Sequence, residues 1–380
     1  MKLISLSLAV LLFLSVPGAF GLDVPVRDGA EFREAVMSAK PGTRVVLAPG
    51  SYGGGYQFTG LHGEPGKPII IAAADPAQPP VFNERAVGIH LSKPAYVELH
   101  DLRFERHSGN GINVDDGGDT SAAAHHLTFR GLQIRDIGGP QNADGIKLSG
   151  VEDFIVADCS IERWGTRGGS AIDMVGCHRG VIEKCVFRHD EAPEATGVQS
   201  KGGSSEIAIR RNTFENAGGR AVNIGGSTGL PYFRPPVKDD AENAEALNIR
   251  VEGNRFSGSM TPIAFVGVDS AFVRFNTIEQ PGRWAVRILQ ENQDPRFVPC
   301  RNGEFADNLV IFESGKWSEG GVNVGGKTSP GSFKFARNWW LCLDRPDRSQ
   351  PRLPVPETDG VYGRPASEAK GKAGADAFTE

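Results

Sequence analysis

Residues 207–226 read IAIRRNTFENAGGRAVNIGG, and the same pattern recurs on both sides of them. It appears at 155–176 (IVADCSIERWGTRGGSAIDMVG), 181–202 (VIEKCVFRHDEAPEATGVQSKG), 249–267 (IRVEGNRFSGSMTPIAFVG) and 272–291 (FVRFNTIEQPGRWAVRILQE). Each unit holds a strand of alternating apolar residues, a tight corner, a second short strand, a loop of variable length and a third strand that opens on a small residue. The interval is mostly in the twenties of residues, with longer spacings where a loop expands, and no helical periodicity lies between the strands. Such a unit buries its apolar face only by stacking on its neighbours.

Aligning the units sets one corner column: Leu102, Leu132, Cys159, Cys185, Asn212, Asn254, Asn276, Asn308, Asn338. Asparagine tolerates left-handed and turn conformations, and its amide can bond the next asparagine one rung along. This is what an inward corner of a parallel β-helix needs. The expected fold is all-β: a right-handed, single-stranded parallel β-helix of about nine coils, roughly 40 Å long at strand spacing. Cys159 and Cys185 fall on adjacent rungs, about 4.8 Å apart. That spacing permits a disulfide, and stacked thiols packed as small hydrophobes are the reading adopted. The open first coil needs a cover. GAEFREAVMSAKPG (29–42), with Phe32, Ala35 and Val36 on one helical face, supplies an N-terminal capping helix. The expected division is a leader at 1–21, the β-helix at 22–345, and a Pro-rich, charged C-terminal wrap or tail at 346–380.

Composition agrees with many short strands: the chain of 380 residues has 49 Gly and 25 Pro. Its net charge of −5 gives no nucleic-acid bias. Residues 1–21 carry a basic Lys2, an apolar run from Leu3 to Val16, and small residues at Ala19 and Gly21, the pattern of a signal peptide. No other segment could span a membrane, so a secreted or periplasmic monomer without membrane insertion is expected. The five cysteines show no zinc-ligand spacing, and no metal site is assigned from them.

The third strand recurs as GIHL, GINV, GIKL, AIDM, GVQS, AVNI, PIAF, AVRI and GVNV. Its outward position reads His90, Asn113, Lys147, Asp173, Gln199, Asn223, Ala264, Arg287, Asn323. Two residues on, the same face carries Asp115, Ser149, Val175, Lys201, Gly225, Val266, Leu289 and Gly325. Amides and charges gather in the middle of this face, beside a file of small residues, as on the floor of a groove. Rungs repeat about every 4.8 Å, close to the length of a sugar residue, so a polysaccharide fits. Asn113, Asp173, Gln199, Asn223 and Arg287 are the floor candidates for substrate binding. The flanking loops add Trp164, Arg167, Tyr232, Phe233 and Arg234, since aromatic faces stack on sugars and arginines pair with acid groups. Lys147 and Asp173, on adjacent rungs, read equally as a salt bridge that shapes the groove and as groups acting directly in catalysis.

The coil pattern resembles the pectate-lyase-like parallel β-helices over nearly all of the chain after the leader. Residues 197–226 (GVQSKGGSSEIAIRRNTFENAGGRAVNIGG) are similar to the active-site region of the chondroitinase B and alginate lyase family. That resemblance implies a polysaccharide lyase acting on an acidic, uronate-containing polymer, with Lys201 in the place of the family's Brønsted base. It also shows departures. Gly225 stands where the family has its catalytic arginine, and of the calcium-binding acidic pair Glu194 is retained while Thr196 replaces the other. β-Elimination needs a base and a cation for the enolate-like charge, which points to Lys201 with Lys147 and Arg220. Calcium could bind at Asp115, Asp116 and Asp119 in NVDDGGDT, a stretch that reads equally as a plain turn. Asp144, in NADG, echoes a polygalacturonase motif, but alternation puts it off the outward file. His178 and His189 lie in loops with no evident partner. C5-epimerisation, glycoside hydrolysis and non-catalytic glycan binding in the same groove are the alternatives.

Overall fold

The computed structural model describes residues 21–190, 192–316 and 319–379, so all but the last residue of the apolar leader lies outside the described residues. The chain forms three parallel sheets of 13, 12 and 10 strands, visited in turn by each coil of a right-handed parallel β-helix. We call them the leading sheet, the corner sheet and the floor sheet. The floor sheet begins at Tyr56–Thr59 and ends at Val322–Val324. The stack is longer than the nine coils legible in sequence. Its first coils run through Arg44–Leu47, Ser51–Gly53 and Tyr56–Thr59, whose corner carries none of the column's residue types.

The corner between leading and corner sheets is held by an amide ladder. The side-chain oxygen of Asn254 accepts from the backbone N–H and the amide of Asn212, at 2.9 and 3.0 Å. Asn276 does the same for Asn254, Asn308 for Asn276, and Asn338 for Asn308. Each amide also donates to a carbonyl of the preceding coil, as Asn276 does to Val251 at 2.8 Å. The ladder starts at the N–H of Cys185 and ends on the Glu357 carboxylate. Left-handed backbone at the corner belongs to the residue before the column, including Asp158, Lys184, Arg211 and Phe275. The asparagines are there for their amides.

Inside, like stacks on like. Phe187, Phe214 and Phe256 have ring centroids 4.8 and 4.7 Å apart. All five cysteines are free and buried, so Cys159 and Cys185 pack as thiols. The helix Gly29–Met37 is capped by Asp28, whose carboxylate accepts from the N–H groups of Ala30 and Glu31. It buries Phe32, Ala35 and Val36, with Phe32 edge-on to Tyr56 and Phe82, and so closes the first coil. At the other end Glu357 also accepts from the Trp340 indole and the Tyr362 hydroxyl. Beyond it the chain turns back along the corner sheet, packing Ala369 and Ala373 on Trp339 and pairing Asp376 with Arg255. Among the described residues no helix is long and apolar enough to cross a membrane.

Replacing Asn276 by Ala strips the acceptor from two buried donors of Asn254 and leaves the Val251 carbonyl short of its partner. An unmatched buried polar group costs about 1–3 kcal/mol. Asn276→Ala is therefore expected to lower stability by about 2–4 kcal/mol, read as a fall in the urea midpoint. A loss near zero would remove the ladder from the forces that hold the corner.

Candidate active site

Three neighbouring floor strands, Ile146–Ser149, Arg167–Val175 and Glu194–Lys201, carry the site. Their register sets Lys147 beside Asp173 and Asp173 beside Gln199, with Ser149, Val175 and Lys201 in the parallel file. Asp173, only 4% exposed, lies between two lysines. Lys147 Nζ is 2.6 Å from its Oδ2, and Lys201 Nζ is 3.2 Å from its Oδ1. Lys147 also reaches Asp144 Oδ2 at 3.4 Å, and the other Asp144 oxygen accepts from the Ser170 N–H at 2.7 Å. Four charges thus alternate in sign: Asp144, Lys147, Asp173, Lys201.

Asp144 is drawn into the site because it lies in the turn before its strand, where alternation no longer fixes direction. Burial and the neighbouring Asp173 charge push its carboxyl up to about 6, against the pull of Lys147 and the Ser170 N–H. Burial would also raise Asp173, but Lys201 and Lys147 outweigh it and hold that carboxyl below its usual range. Lys147 meets the reverse balance: burial favours the neutral amine, and Asp173 and Asp144 overcome it to hold the ammonium.

Over the lysines opens a cavity of about 320 Å³, bounded by Ser149, Thr228, Tyr232 and Arg234. Its wall is the loop that leaves the floor after Gly225. Tyr232 is 64% exposed at the rim, whereas Phe233 is buried against Phe297 and anchors the loop. Arg234 is bound to Asp116 through Nε and, at 3.0 Å, through Nη2. Sequence reasoning missed Glu245. It is fully buried and accepts from the N–H groups of Gly202 and Thr228, the Thr228 hydroxyl and the Asn292 amide, all at 2.8–3.1 Å. This carboxylate ties the turn after Lys201 to the wall. In AENAEALNI no local pattern separates it from an ordinary loop acid.

Several expected site residues lie elsewhere. Trp164 is a core residue, almost completely buried and edge-on to His189 at 4.6 Å, so it offers no face to a sugar. His189 is buried too and bonds the Trp164 carbonyl at 2.8 Å; His178 bonds Ser205 Oγ and the Arg234 carbonyl. Both histidines have partners after all. The acids of NVDDGGDT diverge. Asp115 binds His90 and Ser92, Asp116 binds Arg234, and Asp119 binds Ser121 with Lys93 at 3.6 Å. Among the described residues no three His, Cys, Asp or Glu side chains converge to hold a metal, and Glu194 is exposed at the start of its strand. Arg167 is exposed, Asn113 and Gln199 are half-buried on the floor, and Asn223 is buried. Arg220 reaches Asn223 Oδ1 at 3.0 Å and Glu291 Oε1 at 2.6 Å. Arg287 bonds Asn323 at 2.9 Å and lies over the Trp284 ring. Gly225 has φ +98, and a Cβ there would fall 1.8 Å from the Val266 carbonyl oxygen. No arginine can stand at that position on this backbone.

The family model described as "Right handed beta helix region" matches residues 86–234. A PL6 family polysaccharide lyase from Pseudopedobacter saltans superposes with a TM-score of 0.59 at 13% identity, over 94% of this chain and 96% of its own. The alginate lyase from Paenibacillus sp. str. FPU-7 gives 0.53 at 17% identity, over 81% and 99%. A lacto-N-biosidase from Eubacterium ramulus gives 0.51 at 13%, over 88% and 64%. No curated protein matches the sequence. These likenesses show the fold, which lyases and a biosidase share.

The raised Asp144 carboxyl makes a signed prediction. An acid whose folded pKa exceeds its unfolded value contributes stability at low pH that is lost as pH rises, here between about 4 and 6. Asp144→Asn should therefore gain on the wild type across that window by about 2–3 kcal/mol, measured as the difference in unfolding free energy at pH 4 and pH 8. Parallel profiles would mean that Asp144 titrates normally.

Proposed function

We propose that this protein cleaves an acidic, uronate-containing polysaccharide by β-elimination in the floor groove, outside the cytoplasm. The observation that carries the reading is the lysine pair set on one buried carboxylate beneath an open cavity. A uronate carboxylate entering the cavity meets Lys147, held as an ammonium by two carboxylates, which would balance the charge that develops as the C5 proton leaves. Lys201 has one carboxylate contact, the longer of the two made to Asp173, and it lines the same cavity. As the neutral amine it would be the better placed to take the proton. The electrons then form the C4–C5 double bond, the C4–O bond breaks, and the leaving oxygen is protonated from the open groove. Tyr232 at the rim offers a face for a sugar ring. The polysaccharide lyases among the superposed structures, and the leader read at residues 1–21, support this assignment.

Hydrolysis is the weaker reading. Asp144 and Asp173 are the two carboxylates near enough to act together, yet Lys147 lies between them and both are almost wholly buried. Epimerisation would share the proton abstraction but leave the chain uncut.

Incubation with polymannuronate, polyguluronate, polygalacturonate and the chondroitin and dermatan sulfates should produce ultraviolet-absorbing unsaturated ends with at least one of them. Lys201→Ala should lower kcat by about 10²–10⁴-fold, and Lys147→Ala should lower kcat and raise KM together. Saturated products would assign hydrolysis. Tight binding with no product, unchanged in Lys201→Ala, would assign a glycan-binding module.

A further inference from the structure

The outward file of the floor sheet is accessible along only part of its length. Gln57 is exposed, and His90, Asn113, Lys147 and Gln199 are half-buried, with Asp173 buried beneath the two lysines that pair with it. On the next two rungs the same file disappears from the surface: Asn223 is buried, and Ala264 is completely so. Ala264 joins Val266 and Leu289 in a small apolar cluster separate from the core.

An ion pair crosses this stretch. Arg220 opens the strand Arg220–Gly225, at the incoming edge of the floor. Glu291 follows the end of Val286–Leu289, at the outgoing edge and two rungs further along. Their contact of 2.6 Å therefore joins residues of opposite edges and of rungs two apart, next to the outward Asn223. The same guanidinium is fixed from below by Asn223 Oδ1. Beside it the backbone at Gly226 lies so close that a Cβ would come within 3.3 Å of Lys201 Cδ and 3.4 Å of Gln199 Nε2. The groove is open from its Gln57 end to Gln199 and closed over the next two rungs; the file resurfaces beyond them at Arg287 and Asn323, both half-buried.

We infer that the groove admits the end of a polysaccharide chain and not its middle, with the Arg220–Glu291 bridge as the bar that stops it. This rests on the reading that the groove holds a uronate polymer. Lys201 stands on the last open rung, so the bar leaves space for at most one sugar residue beyond it. From Gln199 back to Gln57 the six open rungs span about 24 Å, enough for about five sugars. Cleavage beside the bar would release mono- or disaccharides from one end. Arg220, assigned from sequence to catalysis, becomes a determinant of where the chain stops.

Two measurements on the full chain test this. Calorimetric titration of Lys201→Ala with size-fractionated uronate oligomers should give one protein per chain at every length, from about 5 to about 40 residues. Sizing of wild-type products at early times should show unsaturated mono- and disaccharides with little loss of viscosity. Arg220→Ala/Glu291→Ala should shift the early products to longer oligomers. Several proteins bound per long chain, or long early products from the wild type, overturn the chain-end assignment and leave the uronate reading standing. Absence of both binding and turnover overturns the two together. Where the double variant fails to fold, wild-type product size and the titration decide.

Discussion

Parallel strands stacked in register place each side chain directly above its equivalent about every 4.8 Å, and this repetition governs what every position can hold. Apolar groups accept it readily, as the Phe187–Phe214–Phe256 stack does. Amides accept it because each is both donor and acceptor, so identical asparagines satisfy one another from rung to rung. Ionised groups do not, since like charges would face each other at that distance. They must alternate. One outer file of the corner sheet reads Glu105, Arg135, Glu162, Arg188, Glu215 in register, with ion pairs between successive members such as Arg135–Glu105 and Arg188–Glu215.

The floor tetrad obeys the same rule, so alternation by itself does not mark a site. Environment separates the two. The Arg188–Glu215 side chains are 48% and 39% exposed, and an exposed pair contributes little. Asp173 is all but removed from water, its two lysines line a cavity, and Asp144 beneath them is pushed up to about 6. Gly225 belongs to the same account. Its backbone excludes the arginine the resemblance would place there, so in the proposed reaction the cation facing a uronate comes from another rung, and Lys147 is the one assigned.

The sequence was legible wherever period-two alternation and columnar repetition both held. The corner asparagines and the floor row emerged with their register intact, as did the helix face of Phe32, Ala35 and Val36. Legibility failed at the joints. Asp144, Trp164 and Glu245 all lie outside the regular part of a strand or at its first residues, where direction depends on tertiary contacts that no periodicity records. Trp164 turned inward because the turn after the corner strand folds it onto His189. Glu245 sits just ahead of its strand, and its partners come from segments up to 47 residues away. The left-handed corner residue was missed for another reason: Asp158, Lys184, Arg211 and Phe275 share a conformation and no chemistry.

A buried carboxylate between two lysines is a poor way to stabilise a sheet. Removing ions from water costs several kcal/mol each, and apolar residues of similar volume generally do as well or better. This chain uses that simpler solution on the same face. Three rungs beyond Asp173 its file carries Ala264, and the Lys201 file carries Val266; both are fully buried. There the floor is covered, beside the rung that carries Arg220, and solvent reaches neither side chain. The charged arrangement occurs where the groove is open and the apolar one where it is closed. A purely structural role for the lysines would give no reason for that division. The role proposed for them toward an anionic ligand does, because only in the open stretch would Lys147 and Lys201 exchange part of their hold on Asp173 for a carboxylate arriving from outside.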